Sequence, residues 1–398
     1  MANRWRKTNV ALLIGFCILA SIITLDLLPI GQPPSSSSSP ELQRYLKAKA
    51  TRRRRRRRAT SQTSTTSIYS WASDHLQPLT VTPDPSKETV LFWHIPKSGG
   101  TTAKGIYECL DQTVASRAGA LPRFGHDQDE ELLAFHPWKS SGPTYVNVDT
   151  TNKAGILRAE DLGLVPSGLA DIIFTGEPKF AIEHLYDDSH KGRVVGLFRH
   201  PVDRLVSKFY YLQTATWEWT YSPEWKKLSV LEFATKINND NNIMVKKLAG
   251  KTSNEEVTEV DLLIAMRTVK QRFIVGLMNQ MEESIRRFNI VMGIDESDEE
   301  HKKCMDHFFG HGVEKKNSNS HPKVEEGSPA WEALAEKNAL DIRLYNYILQ
   351  LFEEQKEIIE SYAINTAYDN ILQLFDEQKE IIESYAIDMA VQESGIMG

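Results

Sequence analysis

The sequence predicts an α/β protein: a mostly parallel central sheet flanked by helices in three layers. Two segments and the chain length predict it. From Val90 to Thr102 the chain reads VLFWHIPKSGGTT, an apolar, β-rich run that empties into a glycine-rich turn and then a helix start. Arg193 to Phe198, RVVGLF, is a second buried-strand pattern, followed at once by RHPVDRLVSKFYY. There Pro201 suits a first helical turn, and Val202, Leu205, Val206 and Phe209 share one apolar helix face. Two strand–turn–helix units imply parallel strands joined by crossovers. With the ends set aside, about 260 to 270 residues remain, enough for one large α/β domain.

The elements outside that domain differ in composition. Arg4, Arg6 and Lys7 precede an apolar run from Val10 to Leu25, extended by Leu27, Leu28, Pro29 and Ile30. Counted to Ile30 it reaches the roughly 20 residues that a bilayer core needs. We read residues 1–8 as cytosolic and 9–30 as a transmembrane signal anchor in the type II orientation; a cleaved signal peptide is the alternative. Residues 31–86 read as a disordered Pro/Ser/Arg-rich stem that contains GQPPSSSSSP and the arginine run from Arg52 to Arg58. A basic cleavage site, or a patch for anionic glycans or lipid, also fits that run. No aromatics interleave with these arginines, which argues against nucleic acid as a partner. The formal net charge of −6 decides little, because the charge is unevenly placed.

The turn PKSGGTT has the chemistry of an anion site. Backbone N–H groups at a helix N-terminus favour negative charge, and Gly99 and Gly100 let the backbone approach a phosphate with no Cβ in the way. Lys97 adds a full charge, and Ser98, Thr101 and Thr102 add hydroxyl donors. The nucleoside-triphosphatase loop GxxxxGK[ST] has its lysine after the glycines; here the lysine precedes them. The order resembles the 5′-phosphosulfate loop of sulfotransferases that use 3′-phosphoadenosine-5′-phosphosulfate (PAPS). It is most similar to the membrane-bound, Golgi-type carbohydrate branch, with its HIPKTGGTT-like motif.

The second segment adds to the resemblance. Sulfotransferases clamp the 3′-phosphate of PAPS with an arginine at a strand end and a serine eight positions later; Arg199, Pro201 and Ser207 stand at that spacing. Arginine suits the task because its planar fork grips phosphate bidentately. NNIMVKKLAG (Asn241 to Gly250), RFIVGLMNQMEESIRRF (Arg272 to Phe288) and NALDIRLYNYILQLF (Asn338 to Phe352) look like later landmarks of the same group. KKNSNSHP resembles the loop that closes over the nucleotide, with Lys315 and Lys316 as candidate phosphate contacts. The resemblance implies a P-loop-like domain over 87–352 and transfer of a sulfuryl group from PAPS to a hydroxyl of a glycan acceptor. It also implies a luminal catalytic domain on a Golgi membrane.

Such a reaction needs charge stabilisation at the leaving phosphate and a base for the acceptor oxygen. Lys97 fits the first role. For the base, the sequence departs from the family, in which a histidine follows the glycine of a segment like DIIFTG. Here Gly176 is followed by Glu177. Glu177 is the first candidate base and His184 the second, while His94 reads as a structural residue at the strand end. Trp217, Trp219, Tyr221 and Trp225 offer either a saccharide-stacking surface or a core cluster. A P-loop-type phosphotransferase, and a catalytically inactive nucleotide- or glycan-binding membrane protein, are the alternative functions.

Cys17 lies in the apolar run, which leaves Cys109 and Cys304 as candidates for one disulfide that sequence alone does not pair. With no CxxC and no HExxH, no metal site is expected. The C-terminal extension, residues 353–398, carries a duplication: YNYILQLFEEQKEIIESYAI (345–364) recurs as YDNILQLFDEQKEIIESYAI (368–387). Leu344, Ile348, Leu351, Ile358 and Tyr362 form an apolar stripe in the first copy. A shift of 23 residues turns the second stripe by roughly 140°. We therefore expect a helix break at Asn365–Thr366, with the second copy as an appendage or a homo-oligomer contact.

Overall fold

The computed structural model describes residues 70–138, 142–218, 220–236, 240–310 and 321–395. The expected anchor at 9–30, the Arg52–Arg58 run, Trp219, Lys315 and Lys316 lie outside the described residues. In chain order the elements are α1 (Ser70–His75), β1 (Val90–Trp93), α2 (Gly100–Cys109), β2 (Val114–Ala115), β3 (Ala134–Phe135), β4 (Tyr145–Val146), α3 (Lys153–Asp161), α4 (Leu164–Ser167), β5 (Ile172–Thr175), α5 (Pro178–Leu185), β6 (Arg193–Phe198) and α6 (Pro201–Leu212). They continue as α7 (Val230–Lys236), α8 (Ile243–Ala249), α9 (Glu259–Arg272), β7 (Phe273–Leu277), α10 (Met281–Met292), α11 (Glu299–Phe309), α12 (Pro329–Lys337) and α13 (Ala339–Gly395).

Among the described residues the strands form one seven-stranded sheet in the order β3-β4-β2-β5-β1-β6-β7. Every pairing is parallel except β3 with β4. The strands β1, β5, β6 and β7 are buried on both faces, which is why they read as unbroken apolar runs. Alternation along β1 sorts the layers: Val90 and Phe92 face the cluster built on α2, α10 and α11, while Leu91 and Trp93 face the one built on α1, α3, α5, α8 and α9. The expected three-layer α/β architecture is the one observed. A third cluster joins α6, α7 and α12 through residues such as Val202, Phe209, Phe233 and Leu334. It forms a helical lobe that follows the C-terminal end of β6.

Two boundaries differ from the sequence expectation. Residues 70–86 are not stem: Trp71, Leu76 and Leu79 are buried, and Gln77 N–H donates to the Gly192 carbonyl at 3.0 Å. Their apolar residues are too few and too irregularly spaced to signal a core element alone. Nor does the domain stop at 352. Gln355 donates to the Phe273 carbonyl (2.7 Å) and accepts from Val275 N–H (2.9 Å), and Tyr362 is buried with its hydroxyl on the Leu79 carbonyl.

The expected helix break is absent, since α13 runs unbroken for 57 residues. No proline or glycine interrupts residues 339–394, and Asn365 uses its side-chain amide on Thr82 Oγ1 (3.1 Å) rather than as a cap. Ile359 is buried where Ile358 was expected. Eleven residues from Ile348 make just over three whole turns, so a straight helix brings Ile359 back to nearly the same face. Among the described residues no helix is both long and apolar enough to cross a membrane.

Candidate functional site

In an open parallel sheet, ligands sit beyond the C-terminal strand ends, where neighbouring strands send their connections opposite ways. Here β1 leads off toward β2 and β6 toward β7, on either side of the β1–β6 pair. The loops after β1 and β6 are the ones that carry Lys97 and Arg199.

The β1 loop is wound tightly. Lys97 (φ 65°) and Gly99 (φ 86°) both adopt left-handed conformations. For lysine that is uncommon backbone of the kind that collects at functional sites. A Cβ on Gly99 would overlap the Met281 methyl, and one on Gly100 would overlap the His94 ring. The glycines therefore let the loop nest between β1 and α10. Helix α2 starts at Gly100 with no side-chain cap, so its first turn presents N–H groups to whatever sits there. Ser98 is buried, and its Oγ has no partner among the described residues. A buried hydroxyl left unpaired costs about 1–3 kcal/mol, which an anionic oxygen would repay. Thr101 is exposed and Thr102 half-buried at the helix start.

Arg199 joins the two loops. Its Nη1 donates to the Lys97 carbonyl at 3.1 Å, and the guanidinium is half-buried near Asp203 and Tyr345. Ser207 is buried on α6, one turn before Tyr211. The Lys97 ammonium in turn lies 3.9 Å from the centre of the Tyr211 ring. The chain re-enters the described residues at His321, whose ring stacks on Tyr210 at 5.0 Å. The Arg199 bond and the Lys97–Tyr211 contact thus bring the loop of Lys97, Ser98, Gly99 and Gly100 against the end of β6 and against α6, the helix that carries Ser207.

The candidate bases separate. Glu177 precedes α5 at the end of β5, and its strand neighbour Thr175 accepts through its carbonyl from His94 N–H at 2.8 Å, which places Glu177 on the same sheet edge as the loop. Its carboxylate is ion-paired with Lys247 of α8. The structure does not bring His184 to the loop. It lies in the last turn of α5, where it pairs through Nδ1 with Glu160 of α3 at 2.6 Å, its ring against Phe180 at 4.2 Å. Burial, aided by Lys104 and Lys97, pulls the His94 imidazole down to about 4. His94 is therefore neutral at pH 7.

Of the aromatic cluster, Trp225 belongs to the core of the lobe, with its ring 5.4 Å from Phe233. Trp217 instead donates through Nε1 to the Tyr211 hydroxyl (3.2 Å), and that hydroxyl donates to Glu218 Oε1 (2.9 Å). Tyr211 and Glu218 were missed in the sequence. Only the i, i+4 relation of Tyr211 to Ser207 on a predicted helix could have singled out the first.

Among the described residues no group of three or more His, Cys, Asp and Glu side chains is placed to hold a metal ion. No family model matches the chain, and no curated protein matches it.

Proposed function

We propose that the protein is a PAPS-dependent sulfotransferase that passes a sulfuryl group to a hydroxyl of a carbohydrate or glycan acceptor. The observation that carries this reading is the hydrogen bond from Arg199 to the Lys97 carbonyl, which joins two phosphate-type motifs at the C-terminal ends of β1 and β6. The residues present fit the donor: an unpaired buried hydroxyl on Ser98, an uncapped helix start and a glycine cradle. Lys97, Ser98, Gly99, Gly100, Thr101 and Thr102 would hold its 5′ end, and Arg199 and Ser207 its 3′-phosphate. When bound, PAPS supplies an activated sulfuryl group. Lys97 would stabilise charge on the departing phosphate oxygen.

Cys109 of α2 and Cys304 of α11 form a disulfide. Disulfides persist in oxidising compartments, which supports a luminal domain tethered by residues 9–30 at a Golgi membrane. The test is turnover: the full chain with PAPS and a panel of unsulfated glycans should release 3′,5′-adenosine bisphosphate, and Lys97→Ala should abolish the release. Release of phosphate from ATP–magnesium, with none from PAPS, would replace this reading by a phosphotransferase.

A further inference from the structure

Three carboxylates stand on the segments around the two loops. Glu177 is held by the Lys247 ammonium, and Asp203 faces the Arg199 guanidinium. Among the described residues the third, Glu218, accepts only from a neutral group, the Tyr211 hydroxyl. Tyr211 is the residue whose ring carries Lys97. Its own hydroxyl also accepts from Trp217, so the side chain cannot swing to another position without breaking two hydrogen bonds. One side chain therefore sets the spacing between the ammonium and the carboxylate, at about 10 Å or less. That limit leaves room for the in-line arrangement of a cation at the leaving oxygen and a base beyond the attacking oxygen. Glu218 is half-buried, and its second carboxylate oxygen lies outside the Tyr211 bond.

Resting on the sulfuryl-transfer reading, we propose that Glu218 is the base for the acceptor hydroxyl and Tyr211 its positioning residue. The acceptor oxygen bonds to sulfur as the bond from sulfur to the nucleotide phosphate breaks. The electron pair stays on that phosphate beside Lys97, and the acceptor proton passes to Glu218.

The experiment uses the full chain with PAPS and unsulfated chondroitin, and with PAPS alone, since water can also take the sulfuryl group. Release of 3′,5′-adenosine bisphosphate gives turnover, and the rise in melting temperature with added bisphosphate gives donor binding. Glu218→Gln should lower kcat by about 100-fold or more while KM for PAPS and the melting shift stay unchanged. Glu218→Asp should recover part of the loss, and Tyr211→Phe should lower kcat by about 10-fold with the shift kept. Glu177→Gln should lower kcat less than Glu218→Gln does. A Glu218→Gln variant with full kcat, or a loss confined to Glu177→Gln, overturns the assignment. So does a wild-type protein that binds the bisphosphate but turns over with neither acceptor. A wild-type protein with no melting shift refutes the donor reading itself, a separate failure.

Discussion

Arg199 donates to the carbonyl of Lys97, so the loops after β1 and β6 are one structure rather than two neighbours. The bond fixes a lysine in a left-handed conformation, which a lone loop would leave readily. It also places the guanidinium where a second phosphate could share it. A phosphate bound there would therefore be coupled to the loop conformation through the same side chain.

The conformation of the loop can be tested at Gly99. Gly99→Ala adds a Cβ in left-handed backbone and against the Met281 methyl. The expected loss is about 1–2 kcal/mol in urea unfolding, together with loss of the melting shift given by 3′,5′-adenosine bisphosphate. Unchanged stability would mean that the loop relaxes out of the described geometry.

Two buried groups set opposing pH slopes. Burial first, then Lys104 and Lys97, lowers His94 from 6.5 to about 4. The unfolded chain then binds the extra proton, so this contribution is intact above pH 6.5 and is lost as pH falls toward 4. Burial raises Asp341 from 3.8 to about 6, despite its bonds from Met244 and Val245 N–H. Its contribution is intact below pH 3.8 and is lost as pH rises through 6. Relative to wild type, His94→Gln should therefore gain about 3 kcal/mol between pH 7 and pH 4. Asp341→Asn should drift the other way, gaining on wild type from pH 4 to pH 7. Denaturant midpoints measured across that range check both signs.

Gln355 closes the sheet at its β7 edge as a strand of one residue would, accepting from Val275 N–H and donating to the Phe273 carbonyl. Gln355→Leu leaves both backbone groups buried and unpaired. A loss of about 2–4 kcal/mol is expected, against less than 1 for a substitution at exposed Glu353. Equal losses at the two positions would refute the role given to Gln355.

The N-terminal boundary gives a sharper comparison. A chain that starts at Val81 lacks Trp71, Leu76 and Leu79, all buried. Each large apolar side chain removed costs about 2–5 kcal/mol. That chain should melt well below one starting at Thr66. Matching melting curves for the two N-terminal starts would restore residues 70–80 to the stem.

Much of this was legible in the sequence because it is local. The runs at Val90 and Arg193 are buried on both faces, so each showed as continuous apolar sequence, and the turns after them announced themselves through glycine and proline. What the sequence hid depends on distant partners. Trp71 and Leu76 have no periodicity of their own and are held by β6 and its neighbours. Lys247 meets Glu177, and Glu160 meets His184, across helices whose packing no spacing rule specifies. Asn365 looked like a cap because caps are asparagine-rich, but the contact that occupies it comes from Thr82.

The most direct test of the central claim is thermal unfolding of the full chain with 3′,5′-adenosine bisphosphate and, in parallel, with ATP–magnesium. At about 100 times its dissociation constant a ligand stabilises by roughly 2.7 kcal/mol, readily seen as a shift. A PAPS site gives a shift with the bisphosphate alone, absent in Lys97→Ala and in Arg199→Ala. A shift with ATP–magnesium alone, or none with either ligand in a folded protein, would contradict it.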